Sequence, residues 1–150
     1  MKTHFRRHAF TLIEVLIVVI IMAVLAATII PQFSSSTNDA KDSSLKFNLH
    51  TVRSQIEIYK ANHNATYPKL ATFADQMTKK TTTDGATTGD TVWGPYIQGE
   101  IPANPFNGSK TLVAVATAGT VPTAVVSGGA GWQYDESNGG FFPNNSEYYK

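Results

Sequence analysis

The chain of 150 residues contains no cysteine, so disulfides, thiolate metal sites and cysteine nucleophiles are excluded together. Charge is scarce as well: Asp, Glu, Lys and Arg make up 15% of the residues and nearly cancel, to a formal +1. That balance lacks the basic surplus on which nucleic-acid binding depends, so no nucleic-acid partner is expected. There is no glycine-rich phosphate loop, and Ser34-Ser35-Ser36 beside Lys41 has neither a Gly-flanked elbow nor a paired base. His50 and His63 stand thirteen residues apart with no third ligand and no acid partner. They read as ordinary helix residues rather than as a zinc site or a general base. Catalysis finds no foothold here, and a structural role is expected.

What the chain does have is one long apolar run. From Phe10 to Ile30 the only polar side chains are Thr11, Glu14 and Thr28, and these 21 residues are enough to cross a bilayer. Lys2, Arg6 and Arg7 lie just upstream, which holds the N-terminus in the cytoplasm and sends the C-terminal body across. Glu14 is the exceptional residue. A carboxylate at membrane depth costs roughly 2.5–3.5 kcal/mol on insertion scales, so it points to function. Met1 to Ala9 is short and basic and ends in a small residue. A cut before Phe10 would free an α-amino group whose positive charge sits one helical turn from Glu14. Within one chain the pair closes across i,i+4. Between chains it sets axial register, because either charge buried alone is costly. Two other readings compete: a secretory signal peptide cut near Ala23, Ala26 or Ala27, which Glu14 and Pro31 fit poorly, and a plain single-span anchor.

Met1 to Ala9, Phe10-Thr11-Leu12-Ile13-Glu14-Val15 and the later Pro31 together resemble the class III signal of type IV pilins and type II secretion pseudopilins. The resemblance implies cleavage between Ala9 and Phe10 by a membrane aspartyl peptidase, N-methylation of Phe10, and pairing of Glu14 with the Phe10 amine of a neighbouring chain. The family usually carries Gly before the cut; this chain has Ala9, which is also small. Trp93-Gly94-Pro95-Tyr96-Ile97 and Ile101-Pro102-Ala103-Asn104-Pro105-Phe106 are similar to the linking segment of major pseudopilins, as is Tyr67-Pro68 at a helix end. The implied function is a structural subunit of a helical pseudopilus that drives protein export. Its implied partners are copies of itself, the prepilin peptidase, minor pseudopilins and an inner-membrane assembly platform. Its implied place is the bacterial inner membrane, single-pass, with the body in the periplasm. The lack of cysteine sets the chain apart from the commonest type IV pilins, which close a loop with a disulfide. The alternatives are a type IV pilus subunit for adhesion, motility or DNA uptake, and an anchored monomeric binding domain that keeps its leader.

The organisation that follows is a leader (1–9), a membrane or filament-core helix (10–30) and a periplasmic domain (31–150). Without Lys2, Arg6 and Arg7, nine of the 12 basic residues remain against 11 acidic ones, a formal −2 for the mature chain. Pro31 removes a helix donor, and weak helix formers fill Gln32 to Ser44, so a kink or local melting is expected there. Leu45, Leu49, Val52, Ile56, Tyr59 and His63 then step 4-3-4-3-4, an apolar stripe of helical period. A helix from Phe10 to Asn62 would extend roughly 80 Å at 1.5 Å per residue, far more than a domain of this size needs. Leu70, Phe73 and Met77 predict a second short helix over 68–79. Strands are expected at 111–118, 123–127, 132–134 and 140–142, the last two joined by an Asn-Gly hairpin turn. The expected fold is α+β, with the long helix laid on a small antiparallel sheet. Asp135, Glu136 and Asn138 fit that solvated turn; the resemblance also implies a C-terminal calcium loop, for which these three are the candidate oxygen ligands.

Overall fold

The computed structural model describes residues 10–145, apart from the side chains of residues 30–35. The leader, and with it Ala9, lies outside the described residues. The chain divides into two units, Met1–Ala40 and Lys41–Lys150. A single helix, α1 (Leu12–Asn62), contributes to both. Its backbone stays helical through residues 28–36, so the weak helix formers after Pro31 are carried within α1 instead of interrupting it.

In the first unit, the large apolar side chains of Leu12–Ile29 are all exposed and bury nothing within their own chain. That surface is stable only against lipid or against other helices. The polar side chain near its far end bonds within the helix: Thr28 Oγ1 donates to the Leu25 carbonyl at 2.9 Å, which satisfies the hydroxyl without an outside partner.

In the second unit, the predicted stripe is the core face of α1. Leu45, Val52, Ile56, Tyr59 and His63 are buried, and Leu49 packs against them half-buried. Opposite them lie Phe73 and Met77 of the short helix α2 (Phe73–Thr78), preceded by one 3₁₀ turn at Leu70–Thr72. The sheet closes the core with Trp132, Tyr134 and Phe141: Phe73 lies 4.6 Å from the Tyr134 ring centre and 6.0 Å from that of Phe141, which in turn lies 5.0 Å from Trp132. Ile97 and Ile101 of the connecting segment fill the remaining side. That segment is tied in place by backbone bonds: the Tyr96 and Ile97 amides both donate to the Met77 carbonyl, at 2.9 and 2.8 Å. The indole of Trp132 donates to the Pro102 carbonyl at 2.8 Å.

The sheet has three strands in the order β1 (Leu112–Ala114), β2 (Trp132–Asp135), β3 (Gly140–Pro143). β2 and β3 form the expected hairpin, with Tyr134 opposite Phe141 and Asp135 opposite Gly140. β1 runs parallel to β2, pairing Leu112 with Trp132, so the sheet is mixed and not antiparallel as the sequence suggested. The strand expected at 123–127 does not form. Its backbone is claimed by amide side chains instead: Asn144 binds both the Val126 amide and carbonyl at 2.8 Å, and Gln133 donates to the Ala124 carbonyl at 2.9 Å. With its polar groups satisfied this way, the segment needs no strand partner. It becomes an irregular crossover, which a parallel pair requires.

Helix α1 ends in a left-handed turn at Asn64 and Ala65, with φ of 52° and 60°. The Ala65 amide closes the end by donating to the Lys60 carbonyl at 3.0 Å. Asn tolerates that conformation, but Ala does not, and its exposed methyl adds no packing in return. Ala65→Gly should therefore stabilise the domain by about 1 kcal/mol. A thermal melt should show a rise of about 4 °C.

Candidate assembly site

Glu14 sits in the first turn of α1 and is held by its own chain. Its Oε2 accepts from the Thr11 amide and from Thr11 Oγ1, both at 2.8 Å. Thr11 Oγ1 in turn accepts from the Glu14 amide at 3.3 Å. This reciprocal arrangement is a capping box, in which Thr11 caps the helix and Glu14 is its third residue. It satisfies two helix-end donors and places a negative charge at the positive end of the helix dipole. The sequence reading missed this role for Thr11, although Thr-x-x-Glu before an apolar run is its signature. Oε1 is not committed to Thr11. The site thus presents a fixed carboxylate with one oxygen engaged, four residues from the backbone nitrogen that cleavage would turn into an amine. Phe10 itself is 84% exposed. Pro31, the expected kink, is helical in its backbone, and its ring lies outside the described side chains.

The three residues considered for calcium all accept hydrogen bonds at or near the hairpin. Asp135 is buried; its Oδ1 accepts from the Ser137 amide and hydroxyl at 2.9 and 2.6 Å, and its Oδ2 accepts from the Gly119 amide at 2.5 Å. Asn138 Oδ1 accepts from the Gly140 amide, and Glu136 Oε2 accepts from the Leu70 amide, each at 2.8 Å. Glu136 therefore fastens the turn to the start of the 3₁₀ helix. Among the described residues, no three His, Asp or Glu side chains are grouped around a common metal position.

His63 has a structural function rather than a chemical one. Its ring stacks on Tyr59 at 3.7 Å; Nδ1 donates to the Tyr59 carbonyl at 2.7 Å, and Nε2 accepts from the Thr81 hydroxyl at 2.9 Å. A carbonyl can only accept, which places the proton on Nδ1. His63 pins the 81–93 loop to the end of α1, since Thr81 also bridges to Trp93. His50 has no part in this cluster.

A family profile, the prokaryotic N-terminal methylation motif, matches residues 4–30. Two relatives share the name type II secretion system core protein G. The one from Pseudomonas aeruginosa is 32% identical over 77 residues, 51% of this chain and 54% of the relative. The one from Dickeya chrysanthemi is 27% identical over 116 residues, 77% of this chain and 74% of the relative. The match thus spans about half the length of the first relative and about three quarters of the second. No solved structure matches the chain.

A long N-terminal helix, a small mixed sheet in the second unit and the methylation motif give the chain an α+β architecture of pilin-like kind. The chain is similar to the major pseudopilin of type II secretion systems, core protein G.

Burial opposes ionisation of Asp135, but the Ser137 hydroxyl and the Gly119 and Ser137 amides outweigh it and hold its pKa below the ordinary 3.8. A lowered folded-state pKa stabilises fully above the unfolded value and is lost as pH falls through the folded one. The wild-type domain should therefore lose stability below about pH 4 in part through this group. Asp135→Asn would turn an amide donor against either Gly119 or Ser137. It should cost about 1–3 kcal/mol near neutrality, and its deficit should narrow as the acid limb is reached. Urea unfolding across that pH range measures both.

Proposed function

We propose that the chain is a structural, non-catalytic subunit of a helical pseudopilus that drives protein export by type II secretion. A prepilin peptidase cuts between Ala9 and Phe10 and the new Phe10 amine is methylated. The subunit then waits in the inner membrane as a single-pass protein, with residues 31–150 in the periplasm. Minor pseudopilins and an inner-membrane platform receive it, and copies assemble with their apolar helices in the fibre axis. Energy comes from a separate cytoplasmic ATPase. The observation that carries the proposal is a wholly exposed apolar helix with one carboxylate in its first turn, inside the segment that matches the methylation motif.

The physical step is charge pairing. Moving helices from lipid to a bundle exchanges one apolar surface for another, so association depends on close packing and on polar contacts. Glu14 supplies a negative charge fixed by Thr11, and the methylated Phe10 amine of a neighbour supplies the positive one. A subunit that is out of register leaves both unpaired in an apolar setting, which penalises misalignment.

Mass analysis of the purified protein should give an N-methylated Phe10 as first residue; an intact Met1 sinks the proposal. Glu14→Ala removes both the charge and the acceptor for the Thr11 amide and hydroxyl, while Glu14→Gln keeps that acceptor and loses only the charge. Both should reduce fibre yield by tenfold or more, about the effect of leaving one buried charge unpaired. Wild-type yield from the Gln variant would assign Glu14 to the cap alone.

A further inference from the structure

In the second unit, an open groove of about 710 Å³ runs between α1 and β3, lined by Leu49, Arg53, Glu57, Val121 and Phe142 among others. Arg53 is fixed in it. Its Nε donates to the Phe141 carbonyl at 2.9 Å, and its guanidinium lies 5.4 Å from the centre of the Phe142 ring. A guanidinium held by one edge against a ring still presents the N–H donors of its two terminal nitrogens. Among the described residues, no carboxylate forms an ion pair with it. Partial burial lowers its pKa, and no neighbouring acid counters that effect. Glu57, one turn further along α1, lines the same groove without pairing with Arg53, and its charge is also felt at Lys60. The Lys60 ammonium donates to the Tyr67 hydroxyl, which raises its pKa most, burial opposes this, and the charges of Tyr67 and Glu57 add to the rise. The groove thus holds a desolvated, oriented cation next to apolar walls, and Val121 on its rim is 66% exposed.

The same unit carries a segment with the complementary features. Asp90 is exposed and makes no ion pair among the described residues, and Val92 two residues on is 70% exposed. The segment is held by its own backbone: Asp90 lies in a bend that the Thr91 amide closes on the Gly89 carbonyl at 2.9 Å, and the Val92 amide donates to the Thr81 carbonyl at 3.0 Å. Arg53 and Leu49, one turn apart on a helix, are separated by about 6 Å. We propose that the groove receives the Asp90–Val92 segment of a second copy, with the Asp90 carboxylate on the terminal nitrogens of Arg53 and Val92 against Leu49 and Val121. We infer that the contact runs one way, groove to segment, from each copy to the next; a heterologous contact of this kind that does not close builds a filament. That is the geometry a fibre requires, and the inference rests on the filament reading above.

The absence of cysteine makes the test clean, because introduced thiols are the only ones present. The full-length chain is expressed in its membrane as two populations, one with Val121→Cys and one with Val92→Cys, and oxidised. A disulfide-linked dimer that requires both populations is expected. Adding Arg53→Glu to the first population should lower that dimer about tenfold, and adding Asp90→Arg to the second should restore it. Restoration also shows that the Arg53→Glu copy is folded. The proposal is overturned by a dimer no stronger than either population gives alone, by indifference to Arg53→Glu, or by failure of the charge swap. A disulfide from Val121→Cys to some other protein in place of the Val92→Cys copy overturns it as well. Fibre formation by the unaltered chain is scored in parallel. Fibres without the cross-link refute this contact and leave the filament reading intact, whereas a chain that makes no fibres sinks that reading, and the dimer band still decides the contact between membrane-held copies.

Discussion

A carboxylate in an apolar helix must be given donors, and here the first two come from the residue that caps the same helix. Thr11 places its amide and hydroxyl on one oxygen of Glu14. The acid is thereby oriented before any partner arrives, and the helix end loses two unsatisfied donors in the same contact. Everything proposed about assembly follows from that arrangement. A free side chain would pay rotamer entropy when it met a neighbour's amine, whereas a capped one has already been ordered by folding. Thr28, whose hydroxyl returns to a helix carbonyl, follows the same economy of polar groups in an apolar setting.

The second unit meets a related problem without disulfides. Much of its backbone lies outside regular structure, and buried amides and carbonyls there still need partners. Asparagine and glutamine side chains supply them. Asn104 donates to the Gly131 carbonyl and accepts from the Phe106 amide, at 2.7 and 3.0 Å; Asn144 and Gln133 join the 124–130 crossover to the sheet. The amide-rich composition that reads as a polar surface is in part an interior scaffold, since Asn104 and Gln133 are fully buried and Asn144 nearly so. Such a network is directional, so it positions the loops as well as satisfying them.

Some of this was visible in the residue order, and some was not. The α1 stripe was legible to the residue, because a 3.6 period with Leu45, Val52, Ile56 and Tyr59 on one face can be satisfied in only one way. The hairpin through Asn138-Gly139 was legible for a similar reason: Gly139 adopts φ 73° beneath the Tyr67 ring, where any side chain would collide. The strand at 123–127 was misread because Val125 and Val126 carry β propensity. Propensity could not reveal that Asn144 would take the backbone bonds first. Residue types alone left Asp135, Glu136 and Asn138 open between a turn and a cation site. Only the placement of Gly119 and Leu70, both distant in sequence, showed which donors face their oxygens.

By itself, the sequence determined what depends on neighbours along the chain. The apolar span, the charge asymmetry ahead of it, the helix cap at Thr11 and the core face of α1 all arise from residues within a few turns of one another. Tertiary structure alone decided the parallel pairing of β1 with β2, the sealing of His63 beneath the 81–93 loop, and the setting of Arg53 on Phe142. Each of these joins segments 18 to 89 residues apart, and which polar group claims which partner across such distances is settled only when the whole core packs.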